Sequence, residues 1–361
     1  MSKKNESKRK IDLKSAILLL LLLAVLLTAT TYAWFTANKT VTVTDIDVNI
    51  AAQNGLQISA NGVDWGATVT VDDLKTGYSA PGGTKDTNQL PSTMEPVSTI
   101  GDVSAGKMKM FYGELSPSGT TYALTAKEET TEQKGTTGKY VAFDIFLKVN
   151  QNEPTILLGE NSHVIFKDDT DRGIQNAARV AFLKEGNNLE TAGQDAFVTQ
   201  NSAASFTTAS QETTYIWEPN SDVHTTTAVT YGKDTYKMGN SEHSAGKLID
   251  IKESNSAVIP CYGINSAINT PGVKLINAFY GTNFDLETPA AISNFTKITP
   301  SYSTPAAYST TSTPETAFSL SKGVTKLRVY MWIEGQDVDC ENSASGSNAS
   351  FKLEFRLPEG S

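Results

Sequence analysis

Cysteine and histidine are nearly absent. Two cysteines, Cys261 and Cys340, and three histidines, His163, His224 and His243, serve 361 residues. No histidine stands in an HExxH or HxH spacing, so a zinc-protease site lacks local support. Also missing are the Gly-x-Ser-x-Gly elbow of serine hydrolases and a phosphate-cradling glycine-rich loop. The expectation is a protein that is not an enzyme. The two cysteines form an even pair, which in an exported chain suggests a disulfide. It would close a loop of about 80 residues and contribute around 4 kcal/mol if unstrained.

Basic charge is scarce outside the first residues. Residues 1–33 hold six basic and two acidic side chains. Of 30 basic and 39 acidic residues in all, 24 and 37 therefore remain, a net charge of −13 beyond residue 33. Nucleic acid is excluded as an expected partner, because binding it takes clustered Lys and Arg against the phosphates. An acidic surface suits solubility and attracts cations. Asp168, Asp169 and Asp171, with Gly173, form a calcium candidate. The EF-hand spacing fails there: the twelfth positions are Arg179 and Val180, where a Glu is required. A solvated turn is the plainer reading, and no other cofactor is expected.

One long apolar run exists. It extends from Ala16 to Leu27, behind Lys3, Lys4, Lys8, Arg9, Lys10 and Lys14. A small-residue segment, Thr28 to Ala33, closes it. This is the layout of a secretory signal. The run is shorter than the roughly 20 residues that a membrane span needs. Cleavage between Ala33 and Trp34 is expected, with signal peptidase as a partner and membrane contact only through this segment. The competing reading is a retained signal anchor with Tyr32, Trp34 and Phe35 in the interface. Both readings place residues 40–361 outside the cell, secreted or at its surface.

Period-two patterning dominates the rest. Val141, Phe143, Ile145, Leu147 and Val149 alternate with Ala142, Asp144, Phe146 and Lys148. Leu327, Val329, Met331 and Ile333 alternate with Lys326, Arg328, Tyr330 and Trp332, and Phe351, Leu353, Phe355 and Leu357 with Lys352, Glu354 and Arg356. Such segments predict strands with one face on a core and the other on solvent. Weaker strands are predicted at 56–60, 67–71, 164–167, 213–217, 228–231, 247–251 and 273–279. Residues 176–184 fit a strand or a short helix. Residues 78–106 and 300–316 read as loose, and the polar region 185–260 as an insertion. The expected fold is all-β, an antiparallel jelly-roll-like β-sandwich over residues 51–361 with long loops, preceded by a signal helix.

The first strand past the signal changes phase. Val41 and Val43 share one phase; Ile46, Val48 and Ile50 share the other. The switch at Thr44-Asp45 reads as a bulge or a bend. A terminal strand of this kind can pair with its own sheet or with a neighbour's open edge.

The junction Thr31-Tyr32-Ala33-Trp34-Phe35-Thr36 and the strand behind it resemble exported proteins with a SipW-type signal peptide. That group includes the TasA and camelysin biofilm-matrix proteins of Gram-positive bacteria. The segment W-x-E-G-x-D-x-x-C, from Trp332 to Cys340, is similar to one in clostridial surface proteins. The resemblance implies a jelly-roll domain that self-assembles into extracellular fibres, residues 34–50 serving as the strand given to the next subunit. Two readings follow. One is a structural subunit of a surface fibre or biofilm matrix. The other is a monomeric adhesin or carbohydrate-binding sandwich, with Tyr215, Trp217 or Tyr231 exposed to stack on a sugar.

Overall fold

In the computed structural model the alternating segments are strands. The structure describes residues 41–50, 55–79, 88–99, 101, 103–118, 121–129, 132, 135–151, 154–159, 161–167, 177–200, 214–217, 273–276, 296–298, 315–335, 340 and 348–358. Strands are numbered in chain order.

The first sheet runs β16 (Glu315–Ser319), β10 (Thr155–Leu158), β18 (Asn348–Arg356), β1 (Val41–Ile50) and β3 (Thr68–Thr70). β11 (His163–Lys167) also lies on β18, and β4 (Thr93–Met94) on β1. The second sheet runs β15 (Thr296–Ile298), β13 (Thr214–Trp217), β12 (Ala178–Asn188), β17 (Gly323–Ile333), β9 (Val141–Val149) and β2 (Leu56–Ser59). β7 (Phe111–Ser118), β8 (Thr121–Glu128) and β14 (Val273–Ile276) form a third sheet, and β5 (Val103–Ser104) pairs with β6 (Lys107–Met108).

The two larger sheets share one apolar core. Ile46 and Val48 of β1 and Phe351, Leu353 and Phe355 of β18 join Phe143, Ile145, Phe182, Val329 and Met331 from the second sheet. The rings of Phe182 and Phe355 meet at 5.5 Å, nearly edge to face. Burying each such side chain contributes about 1.5–3 kcal/mol. β18 keeps its expected alternation, with alternate residues only half-buried.

β9 and β17 depart from the expected pattern. Nearly every residue of both is buried, on both faces. The face read as wet is covered by the segment read as loose, 78–106, together with residues just after it. Val97, Val103, Met108 and Met110 pack onto Ala142, Ala181, Leu183, Tyr330 and Trp332. Backbone bonds attach this cover to the sheet. Gln89 and Ala142 exchange both N–H···O bonds, and the Val97 N–H donates to the Ile333 carbonyl at 3.0 Å. A cover with few large apolar groups suffices because the sheet supplies the aromatic half of the contact.

Within the ambiguous segment 176–184, residues 178–184 are strand, since β12 finds partners on both sides, β13 and β17. The predicted strand at 67–71 is cut short by α1 (Val71–Thr76). Thr70 and Asp73 form its capping box: the Asp73 carboxylate accepts from the Thr70 N–H at 2.8 Å, and the Asp73 N–H donates back to the Thr70 hydroxyl. Of the region 185–260, residues 185–188 complete β12, α2 (Gln194–Val198) packs on β17, and β13 belongs to the second sheet. No helix among the described residues is long and apolar enough to cross a membrane.

Candidate functional site: a terminal strand and a buried charge network

β1 lies inside its sheet, not at its edge. One side pairs in parallel with β18 from Thr42 opposite Asn348 to Ile50 opposite Phe355. The other side pairs antiparallel with β4 at Val41 and Thr42 and with β3 from Asp47 to Asn49. The register shifts between Val43 and Asp45, so the change of phase seen in the sequence is a bulge. The Thr44 hydroxyl donates to the Ala349 carbonyl at 2.9 Å and satisfies an acceptor there. Beyond it Ile46, Val48 and Ile50 face Phe351, Leu353 and Phe355 across the pair. Val41, Ile46, Val48 and Ile50 are buried, and Val43 packs partly against the same core. Asp47 sits opposite Lys352, a cross-strand pair of opposite charge.

The second feature lies between the covered sheet and its cover. Asp144 of β9 and Arg328 of β17 are register partners, and Arg328 Nη1 donates to Asp144 Oδ1 at 2.7 Å. The other end of the guanidinium pairs with Glu132 in the cover. Lys107 Nζ lies 2.9 Å from Glu132 Oε2, and the Tyr330 hydroxyl donates to Glu132 Oε1 at 2.9 Å. The Tyr78 hydroxyl donates to Asp144 Oδ2 at 2.6 Å, and Lys326 Nζ lies 3.2 Å from the same oxygen. Lys326 Nζ also donates to the Val198 and Gln200 carbonyls.

Burial pushes the Asp144 carboxyl up, but Arg328, Lys326 and the Tyr78 hydroxyl outweigh it and hold it down at about 2. Burial also opposes ionisation of Glu132, and Arg328 and Lys107 overcome it. Glu185 on β12 goes the other way: burial, then the Asp144 charge, raises it to about 8. The arrangement is a paired ionic lock that fastens the cover to the sheet. It presents no nucleophile beside a base.

The remaining sequence candidates divide. Trp217 is fully buried, which removes it as an exposed sugar platform; Tyr215 is half-buried, packed on Phe318 with Lys184 over its ring. Cys340 is fully buried, whereas Cys261 lies outside the described residues. Ala33, Trp34, Asp168, Asp169, Asp171 and Tyr231 lie outside them too. The ionic lock was missed because Asp144, Lys326 and Arg328 looked like a solvent face. A signal was present in their company: Phe146, Tyr330 and Trp332 share that face, and three large aromatics argue against water.

No family model, curated protein or solved structure matches this chain. The strand content and sheet pairing define an all-β protein.

Proposed function

We propose that the chain is a secreted structural subunit of an extracellular surface fibre or biofilm matrix, assembling by giving its first strand to the next copy. The observation that carries this reading is β1 itself. It is the first described element, it fills an internal sheet position, and it is joined to the rest of the described chain only through its C-terminal end, by residues 51–54. Removing it opens the β18 edge on one side and β3 and β4 on the other, above a floor of apolar side chains. Another copy's β1 matches that slot in sequence, bulge and register. Burial of β1 at home and in a neighbour is chemically the same, so exchange costs little beyond opening the monomer. The jelly-roll connection, the signal helix with cleavage at Ala33 and the extracellular location belong to the same reading, which assigns no catalytic role and no metal.

The test is negative-stain microscopy of the purified chain from Trp34 onward. Filaments are expected. Deleting residues 34–44, which removes the buried Val41 and the bulge, should abolish them. Filaments from the deletion variant would sink the strand-donation mechanism.

A further inference from the structure

We propose that Glu185 is a proton latch for the flap of residues 189–200: protonated, it lets helix α2 lie closed on the second sheet, and ionised, it loosens that flap while the sandwich stays folded.

The flap starts where β12 ends. It holds a 3-10 turn, Glu190–Ala192, then α2, and it ends at Gln200. α2 packs over β12 and β17 and lays Phe197 and Val198 on Tyr78, Phe146 and Val324. This apolar cluster is separate from the main core, so it can part without opening the sandwich. Asn188 Nδ2 and Gln194 Nε2 add one bond each, to the Ala196 and Asn61 carbonyls. The flap's inner end is tied through Lys326. Its Nζ donates to the Val198 and Gln200 carbonyls at 3.3 and 3.4 Å and lies 3.2 Å from Asp144 Oδ2. An ammonium has three donors, and all are in use. The Gln200 side chain returns the contact: Oε1 accepts from the Lys326 N–H at 3.2 Å, and Nε2 donates to the Val324 carbonyl at 3.3 Å.

Glu185 stands beside this tie. β12 shifts register between Lys184, opposite Leu327, and Gly186, opposite Lys326, so Glu185 is the extra residue of a bulge next to Lys326. It is only 3% exposed. The charges that act on it are Asp144 from β9, Lys326 and Arg328 from β17 and Glu132 from the cover. Asp195, the charged residue of α2, is exposed. Asp144 and Glu132 already balance Lys326 and Arg328, so an ionised Glu185 is a surplus buried charge. It competes with the two flap carbonyls for Lys326, and a lifted flap lets water reach it. Burial and the Asp144 charge hold the carboxyl protonated up to about pH 8 in the closed form. From its ordinary 4.5 up to that value the closed form binds a proton that the open form has released, so closure weakens as pH rises through the window.

Native-state hydrogen exchange of the purified full chain from pH 5 to pH 8 tests this. The Phe197, Thr199 and Gln200 N–H groups bond within the flap and report its opening. Corrected for intrinsic exchange, their protection should fall about tenfold per pH unit. It should not change in low urea, because a local opening exposes little surface. Val329, at the centre of β17, should stay more strongly protected and should respond to urea. In Glu185→Gln, neutral at every pH, flap protection should keep its pH 5 level throughout. Flap amides with the urea dependence of Val329 would reduce the latch to global unfolding, and a pH slope that survives in Glu185→Gln would take the role from Glu185. Either result overturns the proposal.

Discussion

Arg328 holds two carboxylates from different parts of the chain, and its replacement tests what the lock is worth. Arg328→Met keeps most of the volume and leaves Asp144 and Glu132 buried without the cation between them. The expected loss is about 3–5 kcal/mol, read as a lower urea midpoint with an unchanged slope. Glu185 behaves in the opposite sense. Its ordinary value is 4.5 and its folded value about 8. Between those values the folded state binds a proton that the unfolded chain has released, so stability falls as pH rises through this window. Glu185→Gln should therefore raise the melting temperature at pH 8 and change it little at pH 5. The gain at pH 8 should be on the order of 4 kcal/mol, from about three pKa units at about 1.36 kcal/mol each. Equal effects at both pH values would refute this assignment. Asp144 adds the acid limb. Its depressed carboxyl contributes stability above the ordinary carboxylate range, and that stability is lost as pH falls toward 2. None of this could be read without pairing. Asp144 and Arg328 are 184 residues apart, and only the β9–β17 register makes opposite charges on two strands into one contact.

At the scale of elements, period-two patterning sufficed for β1, β9, β17 and β18, because each buries at least one face fully and the apolar residues must keep phase with it. The bulge in β1 was legible for the same reason: a break in phase needs an extra residue. The cover was not legible. Its Val97, Val103, Met108 and Met110 show no period, and their burial comes from a sheet formed by distant segments. α1 carried a local signal, Thr70 and Asp73 at capping-box spacing, hidden behind two valines that also suit a strand. β1 supports an element-scale prediction. A chain starting at residue 51 should be unstable, and a synthetic Val41–Ile50 peptide should restore its melting temperature in a concentration-dependent way. A peptide with Thr44 deleted should fail, because every side chain on one side of the deletion would then meet the wrong face. Rescue by that peptide would mean that the slot does not read register.

For the whole molecule, the question is whose β1 lies on whose β18. A monomer filling its own slot and a fibre filling each slot from the preceding copy make the same strand pair, so spectroscopy of secondary structure would not separate them. Covalent trapping would. Asp47 and Lys352 stand opposite each other in the parallel pair, and both are half-buried. Residues opposed on neighbouring strands stand about 4.8 Å apart, within the Cα separation of about 4.4–6.8 Å that a disulfide spans. With Asp47→Cys and Lys352→Cys in one chain, oxidised filaments should run on a non-reducing gel as a ladder of covalent multimers. Soluble monomer should run as a single band with an internal crosslink. Each substitution alone, beside the native Cys261 and Cys340, sets the background. Filaments that yield only internally crosslinked monomer would show that β1 never leaves its own sheet. Assembly would then have to use another edge, with β3, β16, β15 and β2 the outer strands of the two larger sheets among the described residues.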